Sequence, residues 1–415
     1  MTRNLTTGSP MRLILQFAVP TLLGLLFQQC YNLVDTMIVG KLLGAQALAA
    51  VGSTGSINFG VIGFCTGVCS GFAIPVAQQM GAGAFSQMRR YVANAAYLSA
   101  LFALVLTVAT GLGCQDILTL MRTPSDIFAQ ANSYIFVIFM GIPVTFLYNL
   151  LAGILRSLGD SRTPVYFLAL SSFLNIFLDF ALILWFNAGV AGAAIATVVA
   201  QGISGLACLV FIWKKFPLLH VSRDDLVFRK DYARRLLGMG IPMGLQSSIT
   251  AIGSILLQTS VNGLGSVVVA SITAANKLYQ LFSCVFDALG VAMSTYGGQN
   301  IGARRGDRIF AGLRAGMIIG SVYSLFSLVV VVFFGKPMTL LFVDASETVI
   351  IDQAYQFMVI QVAFFIPLTA VNVIRLLIQG MGYSKLAMFA GVFEMIARGA
   401  FGLFLVPRFG FLLAC

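Results

Sequence analysis

The sequence predicts an all-α polytopic membrane protein: two parallel-repeat bundles of six transmembrane helices, the twelfth helix only begun. Three observations carry this. The 415 residues are 59% hydrophobic and only 9% charged, against about 25% charged in a soluble domain. The apolar residues fall into runs long enough to span a bilayer, which takes about 20 residues. Four short motifs recur in order at a nearly constant offset. A soluble enzyme, a disordered chain and a secreted disulfide scaffold are excluded by the first observation alone.

Apolar runs between polar breaks place spans near 13–39, 48–76, 92–113, 131–155, 164–186, 189–213, 236–261, 267–296, 311–335, 353–378 and 386–406. The stretch from Phe409 to Cys415 reads as the start of a twelfth, so that the sequence stops short of it. Met1–Arg12 does not read as a cleavable signal, because the apolar run that follows is too long and carries an Asp. The cysteines sit mostly in apolar stretches and form no CxxC pair, so they read as small hydrophobes.

The net charge of +11 would suggest nucleic acid in a soluble protein, but here it reads as loop charge and no nucleic-acid partner is expected. With the N-terminus in the cytoplasm, 19 Lys and Arg fall on inner segments and 4 on outer ones, Lys41, Arg122, Lys336 and Arg408. That split sets the orientation by the positive-inside rule. Lys277 and Arg398 remain within spans.

The repeats divide the chain. Ala18-Val19-Pro20 recurs as Gly240-Ile241-Pro242, and Gln78-Gln79-Met80-Gly81-Ala82 as Gln299-Asn300-Ile301-Gly302-Ala303. Ile142-Pro143-Val144-Thr145 recurs as Ile366-Pro367-Leu368-Thr369. Arg156-Ser157-Leu158-Gly159 recurs as Gln379-Gly380-Met381-Gly382, so the offsets run from 221 to 224. Six helices per unit bring both units in from the same side, as parallel repeats. The expected organisation is an N-terminal six-helix bundle over 1–213, a basic cytoplasmic linker over 214–235, and a C-terminal bundle over 236–415. Paired bundles suggest alternating access; a duplicated scaffold without transport is the blander alternative.

An ionisable group at mid-membrane costs roughly 2.5–3.5 kcal/mol and needs a reason. The spans hold Asp35, Asp179, Lys277, Asp287, Glu394 and Arg398. Gln28, Tyr31 and Asp35 share a helix face at i, i+3, i+7. Pro20, upstream on the same span, is a candidate kink. Asn175 and Asp179 share a face, and Thr197 lies on the next helix. Counting about 1.5 Å per residue puts Asp35, Asp179 and Thr197 about 7–12 Å below the outer boundary. Two carboxylates, an amide and a hydroxyl at one depth suit a hard cation or a shared proton; a merely wetted Asp35 is the plainer alternative. Asn149 is grouped with Gln28 and Tyr31 as a supporting network. Glu394 and Arg398, at i, i+4, read as a structural ion pair. Asp287 and Lys277, about 80° apart around their helix, are candidate substrate contacts rather than partners.

No GxxxxGK[ST] loop or GxSxG elbow occurs, and one histidine cannot form HExxH. No cofactor is expected beyond a coupling ion, Na+ or H+, and no metal beyond possible Na+. A membrane potential of roughly 150 mV supplies about 3.5 kcal/mol per charge moved, a few hundredfold in concentration. An exchange of one cation for another cancels that electrical share and leaves the ion's chemical gradient.

The chain resembles the multidrug and toxic compound extrusion (MATE) family of antiporters. The resemblance rests on Pro20 with the run Gln28 to Thr36, Leu43-Gly44-Ala45-Gln46-Ala47-Leu48, Gln78 to Gly83, Leu155-Arg156-Ser157-Leu158-Gly159-Asp160, and Asn175 to Asp179. It implies a V-shaped pair of bundles in a bacterial cytoplasmic membrane, exporting small cationic amphipathic compounds against sodium or protons. It further implies a first-bundle cation site at Asp35, Asn175, Asp179 and Thr197, with Gln28 and Tyr31 beside it. Members that use acids on the seventh and tenth helices differ, since 236–261 and 353–378 hold none. A lipid-linked or polysaccharide flippase would favour a basic cavity; four intramembrane acids against two bases lean toward cationic solutes. An intramembrane enzyme would need a nucleophile and a base, and neither is seen. Oligomeric state and substrate identity are silent in the sequence.

Overall fold

The computed structural model describes residues 3–414. Eleven spans cross its length, and no strand occurs among the described residues. Nine are single helices: Pro10–Leu43, Gly55–Gly81, Phe85–Leu112, Thr163–Trp185, Gly189–Lys215, Lys230–Asn262, Val267–Gly302, Gly306–Thr339 and Ser384–Leu405. The fourth and tenth spans are bent pairs, Ser125–Met140 with Ile142–Ser157 (47°) and Thr348–Ala363 with Phe365–Gly380 (48°). Pro143 and Pro367 stand just past the two breaks. Each lacks the N–H that would continue the ladder and crowds the carbonyl four residues earlier. The fifth and eleventh spans both end in a π-helical turn, Ala181–Trp185 and Phe401–Leu405. The repeat therefore governs irregularities as well as helices.

The eleven expected spans are present, with displaced edges. The second begins at Gly55, not at 48, because a separate short helix, Ala45–Ser53, precedes it. Ser53 and Thr54 donate their hydroxyls to the Ala50 and Val51 carbonyls, a local alternative to the helix ladder. The third begins at Phe85 and so carries Arg89 and Arg90 on helix, not loop. Arg375, placed by its charge on an inner loop, lies inside the tenth span. Asp352, at the start of that span, is exposed and pairs with Lys336 at 2.6 Å. The expected beginning of a twelfth span falls on two short turns, Val406–Phe409 and Phe411–Ala414, parted by Gly410 at φ +95°. Cys415 lies outside the described residues. The first helix runs unbroken through Pro20.

One apolar core joins residues of the first half, from Ile38 through Phe72 and Phe139 to Cys208, with Leu236 at the start of the seventh span. A second joins Val261, Phe286, Phe357 and Val406. A third lies between the halves, where Ile14 and Phe17 meet Leu289, Met293 and Tyr296. The helix ends carrying Gln78 and Gln299 meet reciprocally. Gln299 donates to the Ser157 carbonyl (2.8 Å), and Gln78 donates to that of Gly380 (3.4 Å), the repeat counterpart of Ser157. A Cβ on Gly81 would stand 1.9 Å from the Gln299 carbonyl oxygen, and one on Gly302 would stand 1.9 Å from that of Gln78. Only glycine allows these backbones to close to this distance. The crossed pairing is what a two-fold relation between the halves produces.

The 214–235 segment is tied down. Asp225, 2% exposed, accepts from Arg89 at 2.8 Å and from Ser222, and lies 3.6 Å from Arg90. Tyr97 donates to the Leu226 carbonyl, and Asn94 exchanges hydrogen bonds with Val227 and Arg229. Burial raises the Asp225 pKa, but hydrogen bonds from Arg89 and Ser222 outweigh it and hold the carboxyl below its usual range.

Candidate functional site

The fifth span positions Asn175 and Asp179 one turn apart, on the face it buries against the sixth. Asp179 is 0% and Asn175 1% exposed. The Asn175 amide donates to Thr197 Oγ1 at 3.1 Å, and Thr197 donates to the Ala193 carbonyl. From the first span, the Asp35 carboxyl lies beside that of Asp179. The Tyr31 hydroxyl lies beside Thr197. Asp35, Asn175, Asp179 and Thr197 are thus brought to one place, with Tyr31 on its edge.

The supporting network divides. Asn149 spends its amide on the Thr145 carbonyl of its own helix (2.9 Å), and Gln28 is exposed. Among the described residues no hydrogen bond ties either to the carboxyl pair. Tyr134, of the fourth span, lies within electrostatic reach of Asp35, Tyr31 and Asp179. Nothing in the sequence singled it out, because no charged residue or repeat motif stands beside it.

Four buried oxygens of this cluster have no hydrogen-bond donor among the described residues: Asp35 Oδ1, Asp179 Oδ1, Asp179 Oδ2 and Asn175 Oδ1. Buried acceptors are ordinarily satisfied. Two carboxylates at contact repel unless a cation or a shared proton lies between them. The donor set is all oxygen, which fits a hard monovalent cation as well as a proton.

The second half is arranged differently. Arg398 donates to Glu394 at 2.7 Å, the i, i+4 contact expected. The pair is not private, since Arg375 also approaches Glu394 (3.9 Å). Arg398 further donates to Ser254, and Arg375 to Asn372. Asp287 is exposed and in electrostatic reach of Arg375. Lys277 is also exposed, with no ion pair among the described residues. The two do not pair with each other.

Between the second, third and seventh spans lies an apolar cavity of about 380 Å³, lined by Ile57, Val61, Phe64, Leu106, Ile252 and Ile255. A few hydroxyls, Ser56, Thr110 and Ser248, edge it. Its size and lining suit an amphipathic small molecule.

A family model described as MatE matches the chain twice, over residues 20–181 and 242–403. The Bacillus subtilis protein named Probable multidrug resistance protein YpnP is 30% identical over 376 residues, covering 89% of this chain and 82% of that one. Among solved structures, a MATE in complex with MaL6 superposes with a TM-score of 0.91 at 22% identity, covering all of this chain and 93% of its own. The outward-facing conformation of a multidrug resistance MATE family transporter of the MOP superfamily gives a TM-score of 0.91 at 22% identity, covering 99% and 91%.

Proposed function

This chain belongs to the MatE family of multi-pass membrane transporters, and from that premise we propose that it exports small cationic amphipathic compounds in exchange for Na+ or H+. The unpaired oxygens of Asp35, Asp179 and Asn175 carry the proposal. They form a site that an inward-moving cation would satisfy. Asp35, Asn175, Asp179 and Thr197 hold that cation, with Tyr31 and Tyr134 at its rim. Occupation of the site screens the carboxyl repulsion and draws the first span toward the fifth. Because the first span also packs on Leu289 and Met293 of the eighth, its movement reaches the interface between the halves.

The two bundles, 1–213 and 236–415, exchange their open ends by rocking, with 214–235 as the cytoplasmic tie. The excess of basic residues on inner over outer segments supports an N-terminus in the cytoplasm of a bacterial cell membrane. The solute sits between the bundles, using the apolar cavity for its rings and Asp287 for its positive charge. Lys277, on the same helix as Asp287, is a further candidate contact. The protein is a transporter, not an enzyme.

The experiment is ethidium accumulation in everted membrane vesicles, driven separately by a sodium gradient and by a pH gradient. Accumulation under one of the two supports the reading and names the ion. No accumulation under either overturns it.

A further inference from the structure

The later part of the linker lies along the outside of the third span. That span, Phe85–Leu112, carries its last charges at Arg89 and Arg90, and residues 91–112 hold none. An uncharged run of that length is what a hydrocarbon core requires. Asn94 and Tyr97 fall in the first two turns of the run, and both hold the linker. Tyr97 donates to the Leu226 carbonyl at 3.0 Å; Asn94 donates to that of Val227 (3.4 Å) and accepts from the Arg229 amide (3.1 Å). Residues 226–229 are not helical. Irregular backbone at membrane depth requires such partners, because lipid supplies none.

Tyr97 also marks the side of the span on which the linker lies. Tyr97, Leu101, Leu104 and Val108 follow i, i+4, i+7, i+11 spacing and are all exposed. They form a stripe that faces the acyl chains. Leu226, Val227 and Phe228 stand at its cytoplasmic foot and are exposed in turn, the last two by 53% each. Asp225, buried against Arg89 and Arg90, fixes the turn before them. The triplet is thus presented in a set position and continues the lipid-facing surface of the third span.

Charge supplies the rest of the surface. Lys214, Lys215, Arg223, Arg229 and Lys230 are exposed, and among the described residues none of them has an ion pair or a side-chain hydrogen bond. Asp224 and Asp231 are the exposed acids of the same segment. Arg229 and Lys230 follow the apolar triplet directly. An apolar edge that enters a leaflet beside free bases selects anionic lipid. We propose that residues 223–230 are an anionic-lipid anchor: Leu226, Val227 and Phe228 enter the inner leaflet, and Arg223, Arg229 and Lys230 bind the headgroup of an anionic phospholipid. The lipid then fastens the tie between the bundles to the first bundle and to the leaflet together. The inference rests on placing 214–235 on the cytoplasmic side and is independent of which ion or solute moves.

The test uses the full chain reconstituted in vesicles of equal phosphatidylcholine and phosphatidylglycerol. Phe228→Trp is the reporter, in a Trp185→Phe, Trp213→Phe background that leaves a single indole. Bromine carried on the chains of one lipid at a time quenches an indole that it touches; aqueous iodide quenches one in water. The indole should resist iodide, and brominated phosphatidylglycerol should quench it about twofold or more over brominated phosphatidylcholine. Arg229→Gln with Lys230→Gln should bring the two lipids to equality, and molar salt should do so in part. Every substituted side chain is exposed, so the fold does not depend on them. Quenching by iodide, quenching by neither agent, equal quenching by the two lipids, or a preference unmoved by the double substitution overturns the proposal. No gradient or solute enters the measurement, so its failure is separate from failure of cation-driven export in vesicles.

Discussion

In the first half, Asp179 is fully buried, lies against Asp35 and has no donor for either carboxyl oxygen among the described residues. In the second half, Glu394 is held between Arg398 and Arg375, and the arginines are tied in turn to Ser254 and Asn372. The repeat sharpens the contrast. An offset of 222 pairs Asp35 with Leu257, and one of 223 pairs Asp179 with Gly402. A Cβ on Gly402 would stand 3.4 Å from Leu257 Cα, so the two positions still meet in the second half, without carboxyls. One contact is thus made by an acid pair in one copy and by leucine against glycine in the other. The fold does not require acids there, which supports the proposal that the unbalanced pair does the coupling.

The largest effect that tests this difference is loss of coupling. Asp179→Asn or Asp35→Asn should lower gradient-driven ethidium export at least tenfold with membrane expression retained; normal export by both variants would break the comparison. Next comes the closed end that the halves share. Gly81→Ala or Gly302→Ala forces a methyl into a backbone carbonyl and should cost about 1–3 kcal/mol of stability, read as a lower Tm of the purified protein. Similar losses at both positions would sharpen the symmetry, and a loss at one alone would blunt it.

Smaller effects belong to the balanced half. Glu394→Gln leaves Arg375 and Arg398 without their acid; because all three are partly exposed, the cost should be about 1 kcal/mol. Coupling should survive, whereas coupling lost as in Asp179→Asn would place the working site in both halves. Asp287→Asn should change which cations are exported, measured as the ratio of ethidium to tetraphenylphosphonium export, without changing ion dependence. The smallest effect concerns the linker. Asp225 has a depressed pKa when folded, so its contribution is present above the unfolded carboxyl range and is lost as pH falls through the folded value. Protease nicking of 214–235 should therefore rise below about pH 4, and Asp225→Asn should show the raised nicking already at neutral pH.

Much of this was legible in the sequence, for identifiable reasons. Bilayer thickness forces long apolar runs, so all eleven spans could be read; the motif copies gave the duplication. Charge in the membrane is so costly that Asp35 and Asp179 stood out, and helical spacing brought Asn175 with them. What escaped depended on partners distant in sequence. Arg375 lies within the tenth span and Arg156 lines a cavity between the halves, whereas positive charge alone reads as inner loop. Tyr134 has no charge or motif to mark it. Gln28 and Asn149 share suitable faces, but face alone does not decide which side chains a neighbouring helix meets.

The central claim is that the Asp35–Asp179 pair couples an ion to transport and is not needed to build the pathway. In proteoliposomes, counterflow exchange of labelled ethidium needs the pathway only, whereas uphill uptake needs the ion as well. Measured together for Asp179→Asn, counterflow should persist near the wild-type rate while uphill uptake under the sodium or pH gradient is lost. Loss of both in equal measure, or retention of both, would contradict the account.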